Sequence, residues 1–334
     1  MTATRTAGHF RIAVVCALWA LVLAAGLQPV AATAQGASYP SKPVHFIVGQ
    51  SPGGATDIVA RLIAQKLTEN LRQTVIVENR TGAAGSIGAS FVVKSAPDGY
   101  TLLVVSSSFT INPSLYADLP FDPVKDLAPV SLIAEAPFLL VVHPSLPVRS
   151  VKELVAFAKA KPDVLNFASG GNGSSGHLAG ELFKYLAGVK LVHVPYKGAG
   201  PALVDVMTGQ VHMTFGSVLS SLQHVKNKRL RALAVTSTKR SSAAPDLPTV
   251  AEAGVKGYRR TTWYGILAPA ATPPALVGRI SDEARKAVSS ADVKKRILTD
   301  GAEPEGSSPS AFRDHLASEI AIARDIVRKA GLKR

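Results

Sequence analysis

The sequence predicts an α/β fold in two similar lobes, each a mostly parallel sheet flanked by helices, with a ligand cleft between them. Three observations carry this expectation. Short apolar runs alternate with stretches of about 3.6-residue apolar period, the pattern of strands feeding helices. Twice, a strand leads through a glycine- and serine-rich loop into a helix, although no repeat of fixed period links the two units. The 334 residues leave room for one large domain or two modest ones, since a single hydrophobic core stops growing at roughly 250–300.

Residues 1–34 read as a secretory signal. Arg5, His9 and Arg11 give a basic start, and Ile12 to Leu27 is an apolar run shorter than the ~20 residues that span a bilayer. Ala32-Thr33-Ala34 offers the small residues of a cleavage site, with Ala37 as the alternative. An uncleaved anchor is the competing reading. Cys16 follows Val15 and does not resemble a lipid-attachment cysteine.

The first βα unit begins with a strand over Val44 to Val48 and a tight loop over Gly49 to Gly54. From Thr56 the stripe Ile58, Val59, Leu62, Ile63 and Leu67 marks a helix. Thr74 to Val77 is a second strand, and Ser86 to Lys94 is a helix followed by the turn Pro97-Asp98-Gly99. Thr101 to Val105 is a third strand, opening into Ser106-Ser107-Ser108. The second unit starts with a helix over Val151 to Lys161 and a strand over Val164 to Ala168. A loop from Ser169 to Gly176, a helix from His177 to Ala187 and a strand from Leu191 to Val194 follow. A helix near Pro201 to Thr208 and strands around Val211 to Phe215 and Arg231 to Thr236 complete it. The tail adds a strand near Gly265 to Ala268 and amphipathic helices over Pro273 to Ser289 and Ser310 to Lys329.

Composition bounds the function. Lys and Arg number 37 against 23 Asp and Glu, a net charge of +14 that fits nucleic acid, an anionic membrane surface, an anionic ligand or simply colloidal solubility, and does not choose between them. Discarding the leader removes Arg5 and Arg11, lowering +14 to +12, and removes the single cysteine. The mature chain then has no disulfide, thiol nucleophile or thiolate metal site. No later stretch has the length and apolarity of a membrane span. An exported chain makes cytoplasmic nucleic acid an unsuitable partner.

The two glycine loops hold the candidate chemistry. In Ser51-Pro52-Gly53-Gly54-Ala55-Thr56-Asp57, paired glycines expose backbone N–H groups where the helix dipole favours an anion. The alternative is a plain turn with Asp57 complementing the dipole. The second loop contains a literal G-x-G-x-x-G at Gly171, Gly173 and Gly176, the dinucleotide fingerprint. The strand ending Val194-Pro195 carries no acidic residue for a ribose, so no cofactor is expected. The same geometry suits any small anion, and Ser174 and Ser175 add hydroxyl donors. No G-x-S-x-G elbow, Walker lysine or H-E-x-x-H occurs, and the histidines have no metal-pair spacing. His177 caps, contacts ligand or serves as a base. Phe109, Tyr196, Trp263 and Tyr264 stand near strand ends, with Trp263-Tyr264 the most pocket-like pair.

From Tyr39-Pro40 to the C-terminus the chain resembles the Bug-type, TctC-like periplasmic solute receptors of tripartite tricarboxylate transporters. The resemblance rests on Pro52-Gly53-Gly54-Ala55-Thr56-Asp57, Val77-Glu78-Asn79-Arg80, Gly82-Ala83-Ala84-Gly85 and Ala96-Pro97-Asp98-Gly99-Tyr100. It continues in Gly173-Ser174-Ser175-Gly176-His177, Val194-Pro195-Tyr196-Lys197-Gly198 and Leu247-Pro248-Thr249-Val250. It implies a periplasmic-binding-protein-like fold in which residues 35–141 with 263–334 form one lobe and 142–262 the other. It also implies a carboxylate gripped by the two glycine loops, which here are Gly53 and Gly54 facing Gly173 and Ser174, largely through backbone amides and waters. Ser106, Ser107, Ser108, Ser175, His177, Tyr196, Gly216 and Ser217 would complete the pocket, with Asp57 near the ligand's distal end. Many relatives carry Asp where His212 stands and Asp or Asn near Gly216-Ser217, so the far wall differs here. The implied protein is a monomeric periplasmic receptor, not an enzyme, that passes a small carboxylate to membrane transporter subunits or a sensor. An exported enzyme with His177 as base and an anionic-polymer binder are the alternatives.

Overall fold

The computed structural model describes residues 39–115, 119–329 and 331–332. The signal expected over residues 1–34 and its cleavage points lie outside the described residues. Within the described residues no helix is long and apolar enough to cross a membrane.

The chain from Lys42 onward forms one unit built on a ten-stranded sheet. β1 (Val44–Val48), β2 (Val75–Asn79) and β3 (Thr101–Ser106) are parallel, with β1 between the other two. α1 (Ala55–Leu71) and α2 (Ser86–Val93) connect them, and a short α3 (Asn112–Leu115) follows. α1 buries Val59, Ala60, Ile63 and Leu67, spaced three or four apart on one face. β4 (Leu127–Val142) and α4 (Val151–Ala160) lead into the second half. There β5 (Asn166–Ser169), α5 (Ser175–Ala187), β6 (Val192–Pro195), α6 (Ala199–Met207) and β7 (Met213–Ser217) repeat the parallel arrangement. α7 (Val218–Lys226), β8 (Arg231–Val235) and β9 (Thr261–Pro269) come next. α8 (Pro274–Ser289), α9 (Ala291–Thr299), β10 (Glu303–Pro304) and α10 (Pro309–Lys329) close the chain.

The strand order is β2-β1-β3-β9-β4-β7-β5-β6, with β8 and β10 also pairing to β4. The flanks are parallel, but β9 runs antiparallel to β3 and β4, and β4 antiparallel to β7 and β8. The sheet is therefore mixed where a mostly parallel one was expected. Its centre is β4, which carries both halves on one strand. Leu127 to Pro137 pair with β9, and Phe138 to Val142 with β7 and β8. Separate apolar clusters sit on the two sides. Ile47, Leu103, Trp263, Leu267 and Phe312 belong to one; Leu140, Phe167, Phe183, Phe215 and Tyr258 to the other. Each buried side chain of this size is worth about 1.5–3 kcal/mol, so each half has its own means of holding shape.

Candidate functional site

A cavity of about 470 Å³ opens at the carboxyl ends of the parallel strands. The loops following β1, β2, β3, β5, β6 and β7 all contribute to it, the position at which open α/β sheets take ligands. Four helices, α1, α5, α6 and α7, begin on its wall, through Gly54-Ala55-Thr56, Ser174-Ser175-Gly176, Gly198-Ala199 and Gly216-Ser217. The first N–H groups of a helix have no intrahelical acceptor, and the helix dipole is positive there. α1 and α6 have glycine at the N-cap, so no side chain competes for those amides. Among the described lining residues there is no Asp or Glu, and Lys197 is the one charged side chain. The wall thus offers donors and positive potential, with Phe138, Leu203 and Phe215 as apolar surface.

The two glycine loops are set by the same device. Gly53 N–H donates to Asp57 Oδ2 at 3.0 Å, and Gly173 N–H donates to His177 Nδ1 at 3.2 Å. In each case a side chain in the first helical turn accepts from an amide four residues earlier, and the glycine takes a positive φ, +74° and +78°. The supports differ. Asp57 also accepts from Arg61 Nε at 3.0 Å and from Asn79 Nδ2 at 2.9 Å. Its burial acts to raise the carboxyl pKa, but the bonds from Arg61, Gly53 and Asn79 outweigh this and hold it below the usual value. His177 stacks on His193 with ring centroids 4.0 Å apart, and His193 Nε2 lies 2.6 Å from Ser169 Oγ. Burial, reinforced by His193 and Lys184, pushes His177 down to about 3; burial, reinforced by Lys184, pushes His193 down to about 4. Glu181 Oε1 stands 3.7 Å from His177 Nε2, too far to offset the lost hydration. Both rings are neutral at pH 7.

The structure divides the expected site residues between the cavity wall and the shell behind it. Gly54, Ser106, Ser108, Ser174, Ser175, Tyr196, Gly216 and Ser217 line the cavity. Gly53 and Gly173 do not, because their amides are engaged by Asp57 and His177, which themselves lie off the wall and are 4% and 6% exposed. Ala55, Thr56, Ser175 and Gly176, two and three residues further on, are on the wall. Ser107 is fully buried, its Oγ 2.7 Å from Ser175 Oγ and 2.9 Å from Thr262 Oγ1, so it ties the wall together from behind. Ser106 and Ser108 share a 2.9 Å hydroxyl contact, and Gln50 Nε2 donates to Ser108 at 3.3 Å. Tyr196 donates from its hydroxyl to Asp205 at 2.6 Å; burial, reinforced by this bond, raises its pKa to about 12.

Alternation along β9 splits the expected aromatic pair. Tyr264 lines the cavity with its hydroxyl 2.9 Å from Ser217 Oγ; Trp263 faces the core and donates to Glu319 at 3.1 Å. Phe109 packs in that core against Phe121. The wall also includes Gln50, Thr81 to Ala83, Gly85, Gly170 to Asn172, Ala199 and Thr262, none of them among the expected site residues. The Gly82–Gly85 turn has the signal that marked the other loops, glycines directly after a strand. No His, Cys, Asp and Glu group suited to a metal ion occurs among the described residues.

A donor-rich, acid-free cavity at the strand ends of two βα units has the make-up of a small-anion binding site, and the fold is that of periplasmic binding proteins. The chain belongs to the tripartite tricarboxylate transporter family of receptors, whose sequence profile matches residues 59–332. It is 38% identical to the protein BugT of Bordetella pertussis over 306 residues, 91% of this chain and 94% of that one. It is 39% identical to a UPF0065 protein from the tcbD-tcbE intergenic region of a Pseudomonas species over 283 residues, 84% of each. Among solved structures it resembles Rpa4515 of R. palustris with adipate (38% identity, TM-score 0.86, covering 88% of this chain and 98% of that one). MatC from Rhodopseudomonas palustris with bound malate is similar at 31% identity and TM-score 0.82, covering 86% and 100%. The periplasmic binding protein BugD matches at 32% and 0.86, covering 89% and 100%.

Proposed function

We propose that this chain is an exported, monomeric receptor that captures a small carboxylate and hands it, chemically unchanged, to the membrane subunits of a tripartite tricarboxylate-type transporter. The observation that carries the reading is the pair of helix N-termini, α1 from one half and α5 from the other, that meet at one acid-free cavity. Backbone donors in such a setting bind a carboxylate without a buried arginine. Gly54, Ser106, Ser108, Ser174, Ser175, Tyr196, Gly216 and Ser217 contact the ligand; Gly53, Asp57, Ser107, Gly173 and His177 hold the wall in shape. Residues 35–141 with 263–334 act as one lobe and 142–262 as the other, moving about the changeover in β4 and the start of β9.

His177 is not placed as a base, since its Nδ1 is occupied by Gly173 and the ring is off the cavity wall. The relatives that hold adipate and malate make dicarboxylates the first ligands to try. The test is thermal stabilisation of the purified protein by adipate, malate and a wider carboxylate panel, with the ligand recovered and examined by NMR. Saturable stabilisation with intact ligand is expected. Turnover that disappears in His177→Ala overturns the reading.

A further inference from the structure

Two segments that reach the cavity wall approach each other more closely than side chains allow. The Ser51–Gly54 turn after β1 meets Gly198–Gly200 at the start of α6. Ser51 Oγ accepts from Gly200 N–H at 3.4 Å. A Cβ at Gly198 would stand 2.2 Å from Ser51 Oγ, and one at Gly200 only 2.8 Å from the Pro52 carbonyl oxygen. A Cβ at Gly54 would fall 4.0 Å from Ala199 Cβ.

Gly200 is the informative residue. Gly198 has φ +134°, so its backbone alone calls for glycine. Gly200 lies inside α6 without a positive φ, where alanine would be the better helix former. Its missing side chain answers to the facing Pro52 carbonyl, not to its own helix. Pro52 and Gly200 stand in different βα units, so this contact exists only while the halves are together.

We infer that Ser51, Pro52, Gly198 and Gly200 form a steric interlock that sets how completely the cleft closes, making Gly200 a positioning residue that tunes retention of the ligand without lining its cavity. This rests on the two-lobed receptor reading. A ligand held only by the closed form binds with an apparent affinity scaled by the closed fraction, so a side chain at position 200 weakens binding by opening the cleft.

The test needs no ligand. The sequence has one cysteine, Cys16. In a Cys16→Ser background, Gly54→Cys with Ala199→Cys places two Cβ atoms about 4.0 Å apart, within the roughly 3.5–4.5 Å of disulfides. Under mild oxidant this pair is expected to form an intramolecular cross-link. Adding Gly200→Ala should slow cross-linking about tenfold or more, the effect of one forced backbone contact. The same change in the parent should leave the apo melting temperature unchanged or higher, since α6 gains a better helix former. Gly278→Ala is the control, a glycine in α8 whose Cβ would meet nothing within 4 Å; it should leave the cross-linking rate alone. A pair that stays reduced, a rate unaffected by Gly200→Ala, or equal slowing by Gly278→Ala overturns the interlock. Absence of binding to adipate and malate in the panel above counts against the ligand assignment and leaves the cross-linking result to decide the interlock.

Discussion

Acid should dismantle the second glycine loop through His177, and the sign and size follow from its surroundings. Its folded pKa of about 3 lies below the ordinary 6.5, so between these values the unfolded chain binds more protons than the folded one. Stability held by the neutral ring is therefore fully present above pH 6.5 and is lost as pH falls towards 3. For His177 alone the loss reaches about 3 kcal/mol at pH 4.5, because the ring must be deprotonated in the fold while the unfolded chain charges freely. His193, down to about 4 and stacked on the same ring, titrates in the same window. Protonation also removes the Nδ1 lone pair that accepts from Gly173 N–H, so the wall beside Ser174 and Ser175 loses its support. The perturbation is His177→Asn, whose side-chain oxygen stands near the Nδ1 position and does not titrate. Urea unfolding at pH 7.0, 5.5 and 4.5 should show the parent losing about 3 kcal/mol more than the variant across that range. Parallel pH profiles for the two proteins would refute the argument.

Asp57→Asn should cost about 1–3 kcal/mol in urea unfolding at pH 7, since the carboxylate's three donors, Gly53, Arg61 and Asn79, then face an amide that brings donors of its own. Arg260 is 5% exposed, with Nε and Nη2 buried and without an acceptor. Arg260→Met should therefore be neutral or raise the melting temperature, as replacing poorly compensated buried charge often does. Ser107→Ala removes the hydroxyl shared with Ser175 and Thr262 and should lower stability by about 1–2 kcal/mol, with a larger relative loss in ligand affinity than in stability.

The parts of the fold legible in the sequence are those fixed by local pattern. α1 follows from its apolar stripe, and the strands beside glycine loops follow from short apolar runs bounded by turns. β4 did not announce itself. Pro129 and Pro137 interrupt its apolar run, and proline ordinarily argues against a central strand. Here Pro137 falls where the partner changes from β9 to β7, so a missing donor is tolerated at the changeover. Its pairing with β9 joins residues more than a hundred positions apart, which no local window reports. α7 is equally silent in the sequence pattern, because it starts directly after β7 with no intervening turn.

The site was legible as loops but not as atoms. Glycines after strands mark both helix starts that reach the cavity, whereas Gly53 and Gly173 themselves stand off its wall. Their amides donate to side chains of their own loops, and the residues two and three positions on line the cavity. The reason is a side chain, Asp57 in one loop and His177 in the other, that captures the glycine N–H. Capture depends on its rotamer and on second partners such as Asn79 and His193. Spacing alone does not reveal these. The large positive charge also proved a poor guide to the cavity, where glycine and serine supply most donors and Lys197 the single cation among the described lining residues.

The central claim is that first-turn amides of α1 and α5 clasp one carboxylate between them. A crystal structure of the protein grown with a dicarboxylate that stabilises it, adipate first, tests this most directly. The account predicts carboxylate oxygens within hydrogen-bond reach, directly or through one water, of Ala55 or Thr56 N–H on one side and Ser175 or Gly176 N–H on the other. A ligand bound elsewhere, or held in this cavity by Gly53 and Gly173 after Asp57 and His177 have let go, would contradict it.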